Sequence, residues 1–212
     1  MNLNQYKKAL RTELADLANQ TWANDALEQA MRQALEDYNQ ANLDEAIGLI
    51  TLASASREIS VAALGGRIRI LRVWLPYAAA SPEHPPRWRH DFQEWPGGIL
   101  YISDDPRPAP GDVARIWYNK LRTIEGLDAA AATTVHLQHT HLIITGAASF
   151  AASSRARQIQ ESATIDDDTY KQVSGFAFRK LNEFRAGLNN IRKAPAGAHV
   201  QLAPARRTVV RK

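Results

Sequence analysis

Cysteine is missing from all 212 residues of the chain. Disulfides, thiolate zinc sites and cysteine nucleophiles are thereby excluded, which removes several enzyme classes and leaves the compartment open. Long hydrophobic runs are missing as well. The longest uncharged apolar stretch, LIITGAASFAA, has 11 residues, against about 20 needed to span a bilayer, so a soluble chain with no membrane partner is expected. The opening MNLNQYKKALRTELADLA is charged throughout and has no apolar segment of the kind a secretory signal carries. Neither a phosphate-binding G-x-x-x-x-G-K-S/T, nor a G-x-G-x-x-G, nor a G-x-S-x-G occurs, so nucleotide, dinucleotide and hydrolase readings have no motif behind them.

What is present changes character along the chain. In residues 1–44, Tyr6, Leu10, Leu14 and Leu17 recur at helical spacing, and so do Leu27, Met31, Leu35 and Tyr38. Two short helices are expected, with Asn24 as the N-cap of the second and Asp25 in its first turn, where a carboxylate suits the helix dipole. Residues 45–125 switch to short runs rich in β-branched and aromatic residues: EAIGLITLA, REISVAAL, RIRILRVWLP, GGILYIS and DVARIWYN. Eight of the ten prolines fall there, in the intervening turns. The pattern predicts a compact antiparallel β module with stiff loops.

Helical periodicity returns over 126–192. Thr133 or Thr134 is a candidate cap for a helix reaching about Gln160, with Leu137, His141, Ile144, Ala148 and Ala151 as its stripe and Ile143, Ala147 and Phe150 widening it. A second helix is expected from an aspartate cap at 166 or 167, with Tyr170, Val173, Ala177, Leu181, Phe184, Leu188 and Ile191 along one seam. The fold class is therefore α+β: a helical bundle body, an inserted antiparallel β module and an extended C-terminal arm.

That arm, residues 193–212, has two prolines, five basic residues and no acidic one. Such a composition suits a solvating tail or an arm that orders on a partner. The interleaved Val200, Leu202, Val209 and Val210, with Arg206, Arg207 and Arg211, favour the partner-bound arm.

Three clusters invite a chemical reading. His136, His139 and His141 lie within TTVHLQHTHLII, and histidine is the commonest metal ligand. On a helix, however, His136 and His139 are neighbours while His141 points about 160° away from His139, and on a strand only His139 and His141 share a face. Neither geometry gathers all three. His141 is therefore expected in the apolar stripe, with the other two at a surface or helix end.

Trp74, Trp88, Trp95 and Trp117, four of the five tryptophans, fall in the β module among Arg67, Arg69, Arg72, Arg87, Arg89 and Arg115. Tryptophan beside arginine fills a core, makes an interface or stacks nucleic-acid bases. The packing or interface reading is preferred, and a nucleic-acid-binding module is the alternative. Asp104, Asp105 and Asp166 to Asp168 have structural explanations in a turn and a helix start. No catalytic, cofactor or metal site is expected.

The order of three segments carries one further signal. LADLANQTWANDALEQAMRQALEDYN is followed by ITLASASREISVAALGGRIRILRVWLPY with PPRW, and then by GDVARIWYNKLRTIEGLDAAAATTVHLQHTHLIITGAASFAASSRA. This order resembles the head-to-tail connector, or adaptor, proteins of tailed bacteriophages and prophages. The resemblance implies a non-enzymatic virion protein of the neck: a homo-oligomeric ring, in connectors usually a dodecamer, assembled below the portal protein. Such a ring extends the channel through which genomic DNA passes and presents a platform to the next neck or tail protein. It also implies that the arm, with Val200, Leu202, Arg206, Arg207, Val209, Val210 and Arg211, docks on the portal, and that the inserted β module faces outwards or towards the tail.

Overall fold

The computed structural model describes residues 1–16, 18, 21–83, 86–161 and 167–193. The arm residues Val200, Leu202, Arg206, Arg207, Val209, Val210 and Arg211 lie outside them, as do Leu17 and Asp166.

The body consists of α1 (Leu3–Glu13), α2 (Asn24–Ala41), α3 (Thr140–Glu161) and α4 (Asp167–Lys193). A capping box starts α1: the Asn2 side chain accepts from the Gln5 amide, and the Gln5 side chain accepts from the Asn2 amide. The α1–α2 turn is built around the buried Asp16. Its carboxylate accepts from Arg11 Nη1 at 2.8 Å and from the amides of Thr21 and Trp22. Asn24 is not the cap of α2. Ala23 holds that position with no side-chain hydrogen bond, while Asn24 is already helical and its Oδ1 accepts from Arg11. Asp25 is in the first turn, as expected.

The central helix is α3, in which every residue from Ile143 to Ser149 is buried. It meets α4 closely because each helix offers a glycine where the other brings a large side chain. A Cβ on Gly146 would fall 2.8 Å from the Phe184 ring, and one on Gly187 would fall 2.4 Å from Leu142 Cδ1. Ala177, Phe184 and Leu188 of the expected α4 seam are buried, and Asp167 and Asp168 stand in its first turn.

The start of α3 differs from expectation. Thr133 and Thr134 cap nothing; their hydroxyls accept from the amides of Glu125 and Thr123, fastening two extended segments together. A short 3-10 turn over Leu137–His139 precedes the helix. Residue 137 therefore lies outside the helical stripe, and Leu137 is 81% exposed. His141 is exposed too; it falls on the side of α3 turned away from the buried residues.

The β module holds β1 (Asp44–Thr51), β2 (Glu58–Ser60), β3 (Arg67–Trp74), β4 (Trp88–Arg89), β5 (Phe92–Trp95), β6 (Ile99–Ile102) and β7 (Val113–Lys120). They form a four-stranded sheet in the order β1-β7-β3-β4 and a three-stranded sheet in the order β2-β6-β5. Every pairing is antiparallel. The short strands β4 and β5 carry no alternation long enough to register in the sequence. One core unites the two sheets, with Ile70, Val73, Ala114 and Ile116 from the larger and Ile59, Leu100 and Ile102 from the smaller. Strand β1 carries Gly48 on its inner face, where a Cβ would overlap Leu64 Cδ2 at 2.2 Å.

The helical core is a separate cluster that resumes at Ile124. Both chain crossings between body and module, 42–43 and 121–122, meet at the buried Arg122. Its guanidinium donates to the Asn42, Leu43 and Thr134 carbonyls and to Asp44 Oδ1. A hydrogen bond involving a charged group contributes roughly 1.5–3 kcal/mol, so this one side chain ties the end of α2, the start of β1 and the segment before α3 into a single joint.

Candidate interaction surface

The outward face of the four-stranded sheet brings together residues that the sequence scatters. Pairing of β1 with β7 sets Ile47 against Trp117 and Leu49 against Arg115. Pairing of β3 with β7 sets Arg72 against Trp117 and Trp74 against Arg115, and Trp88 of β4 follows opposite Trp74. Because side chains alternate along a strand, all of these point away from the module core.

Within this face the aromatic rings and guanidiniums form a ladder. Trp74 and Trp88 are 6.0 Å apart between ring centroids, Trp88 and Trp117 5.2 Å, and Trp74 and Tyr77 4.9 Å. The Arg72 guanidinium lies 5.8 Å from Trp88 and 5.3 Å from Trp117, and that of Arg115 lies 4.9 Å from Trp117 and 5.0 Å from Tyr77. Arg72 donates to Glu45 Oε1 at 2.7 Å, and Arg115 donates to the Tyr77 hydroxyl at 3.2 Å. Each cation–π contact contributes about 0.5–1 kcal/mol at a partly exposed site. Their larger effect is to hold the rings in one arrangement, so a partner would meet a surface already ordered.

Three of the four expected tryptophans converge. Trp74 is buried beneath its neighbours and Trp88 and Trp117 are half-buried. Trp95 stands apart on β5 of the other sheet, stacked on Tyr101 at 4.7 Å with the rings 4° from parallel.

Beside this ladder is an aliphatic edge that sequence reasoning missed. Ile47 is 49% exposed and Leu49 59%, on β1, an edge strand of the sheet. The signal was there: AIGLI is apolar on both parities, whereas a strand with one face in water ordinarily alternates. Trp, Tyr and Arg are the residue types enriched at interface hot spots.

The histidines are placed otherwise. His136 and His139 rings are 5.7 Å apart and nearly perpendicular, and His139 Nδ1 lies 2.7 Å from the Tyr38 hydroxyl, which also accepts from Asn42 Nδ2 at 2.7 Å. Burial, then the His136 and Arg122 charges, push the His139 imidazole below its ordinary pKa. Among the described residues no group of three or more His, Cys, Asp or Glu side chains is arranged to hold a metal ion. Asp104 serves a turn: its Oδ2 accepts from the His90 and Asp91 amides. Partial burial opposes ionisation there, but those two amides together with the Arg89 and His90 charges outweigh it and hold the carboxyl below its usual range. Among the described residues no helix is long and apolar enough to cross a membrane. No protein-family model matches the chain, and neither does any curated protein.

Proposed function

We propose that the chain is a structural ring subunit, a head-to-tail connector of a tailed bacteriophage located in the virion neck. The reading starts from the sequence resemblance, and one structural observation carries it further. Exposed large apolar side chains occur on separate parts of the chain: Leu137 and Phe178 on the body, Ile47 and Leu49 beside the arginine–tryptophan ladder of the module. A closed ring of identical subunits needs two different complementary surfaces per chain, and an adaptor needs further ones for the rings above and below. A joint anchored by the buried Arg122 suits a part that must transmit position from body to module. In this reading the body forms the ring around the DNA channel, the module meets the next neck or tail protein, and the arm docks on the portal, with no catalytic role.

Electron microscopy of the purified chain, alone and mixed with portal-bearing capsids, tests this directly. Closed rings seated on the portal are expected, with residues 193–212 required for the seating. A chain that stays monomeric at all concentrations and ignores portals would overturn the reading.

The ladder also supports a second reading, a nucleic-acid surface, because Trp117 has a guanidinium within stacking distance in Arg72 and another in Arg115. That reading expects binding to single-stranded DNA that weakens steeply with salt and is lost in Arg115→Ala. No measurable binding at low salt disposes of it.

A further inference from the structure

A groove of about 710 Å³ runs along the seam between body and β module, with Leu35 and Leu43 on the α2 side and Ile68, Leu121, Ile124 and Leu127 on the other. Ile68 and Leu121 are 49% and 55% exposed there. Neither belongs to the aliphatic edge of β1, and aliphatic side chains gathered in a concave seam are the part of a surface most stabilised by being covered. The rim carries Glu36 and Asp128. Asp128 is held by Arg32 at 2.7 Å, whereas Glu36, and Asp37 beside it, have no ion-pair partner among the described residues.

The course of the chain indicates what could cover the groove. Gln40 lines it and also lines a neighbouring depression shared with Arg192 in the last turn of α4. The polypeptide therefore leaves the described residues at Lys193, next to Arg192 on a depression that shares Gln40 with the groove. Val200 lies seven residues further on, and an extended chain covers at most about 3.6 Å per residue, or roughly 25 Å. An α-helix with its side chains is about 10–12 Å across, so the reach is ample. Residues 194–212 supply apolar side chains at alternate positions, Val200 and Leu202, followed by Arg206, Arg207, Arg211 and Lys212 with no acidic residue. Those charges complement the Glu36 carboxylate on the groove rim and that of Asp37 in the neighbouring depression.

We infer that the groove is a docking site for residues 194–212 of the same chain, with Val200 and Leu202 covering Ile68 and Leu121. Occupation by the same chain is favoured over that by a second copy because a short tether keeps the segment at millimolar effective concentration. The inference does not depend on the phage reading; if both hold, a partner must displace the arm from the groove before the arm can engage it.

The absence of cysteine makes the test clean. The full chain carrying Leu121→Cys and Leu202→Cys is oxidised and resolved on a non-reducing gel, alongside a control pairing Leu202→Cys with Leu137→Cys on the body. A within-chain disulfide forming at least tenfold faster in the groove pair is expected. Equal rates in the two pairs, or a disulfide that joins two chains, overturns the inference. Independently, the double variant Val200→Asp, Leu202→Asp is compared with the unaltered chain by hydrogen exchange over 35–43 and 121–127. Several-fold faster exchange in the variant is expected, and unchanged exchange counts against docking.

Discussion

Asn39 and Arg122, 83 residues apart in sequence, are joined by a reciprocal pair of hydrogen bonds: the Asn39 side-chain amide donates to the Arg122 carbonyl at 3.2 Å, and the Arg122 amide donates to Asn39 Oδ1 at 2.7 Å. Both residues are buried, so the side chain of a helix residue satisfies the backbone just beyond β7 as a neighbouring strand would. The Arg122 side chain then reaches the other crossing. Body and module are thus linked by polar contacts at a place where neither hydrophobic core extends.

Removing either partner should cost more than an average substitution. Asn39→Ala leaves a buried amide and a buried carbonyl unmet, about 1–3 kcal/mol. Arg122→Ala leaves Asp44 without its guanidinium and three carbonyls short of a donor, and about 3–5 kcal/mol is expected. Urea denaturation measures both. If Arg122→Ala shifts the midpoint no more than a surface alanine substitution does, the joint is not held in this way.

The α3–α4 contact gives a prediction with an internal control. Alanine favours a helix over glycine by up to about 1 kcal/mol, yet a methyl at Gly146 would sit 2.8 Å from two atoms of the buried Phe184 ring. Overpacking costs about 1–3 kcal/mol, so Gly146→Ala should lower thermal stability despite its better propensity. Combined with Phe184→Leu it should be less harmful than the two separate effects predict. Simple additivity would show that the ring and the glycine are not coupled.

These two contacts illustrate what could be read in the sequence. The α4 seam was legible because its spacing follows from one helix packing on one core, and the change from helical to strand periodicity near residue 45 follows from the same kind of local rule. The role of Arg122 was not legible, since its partners come from 42–44 and 134 and nothing local marks an arginine as buried. Thr133 and Thr134 misled for a related reason: a hydroxyl before an apolar run can cap a helix or fasten a neighbouring segment, and only the fold decides. The tryptophans were visible as a cluster, but the separation of Trp95 from the other three depends on which sheet receives β5.

His139 should make stability depend on pH in a defined direction. An unfolded imidazole takes up its proton near the ordinary value of 6.5, and the folded one does so only at lower pH. Between those two values the unfolded chain binds more protons, so stability falls as pH drops below about 6.5 and levels off once the folded imidazole is also protonated. Neutral His139 can accept a hydrogen bond from the Tyr38 hydroxyl at Nδ1, whereas protonated His139 cannot. Melting temperatures of the unaltered chain and of His139→Gln across pH 8 to 5 should diverge, with the flatter curve for the variant. Parallel curves would mean that other groups set the acid limit.

The outward face of β1 allows assembly to be separated from folding. Ile47 and Leu49 are already about half exposed, so replacing either with lysine should change the stability of a single chain by no more than about 0.5 kcal/mol. Covering the exposed half of such a side chain in an interface contributes about 0.8–1.5 kcal/mol, half the value of full burial, so losing one weakens a contact by roughly four- to tenfold. Trp117→Ala should weaken it as well, by disturbing the guanidiniums of Arg72 and Arg115 that rest on the ring. If the module face joins subunits, Leu49→Lys will give folded chains with native circular dichroism that fail to form rings in mass photometry. If rings persist but a neck or tail protein no longer binds them, the face belongs to that second contact. Rings and downstream binding both at the level of the unaltered chain would mean that this apolar edge carries neither.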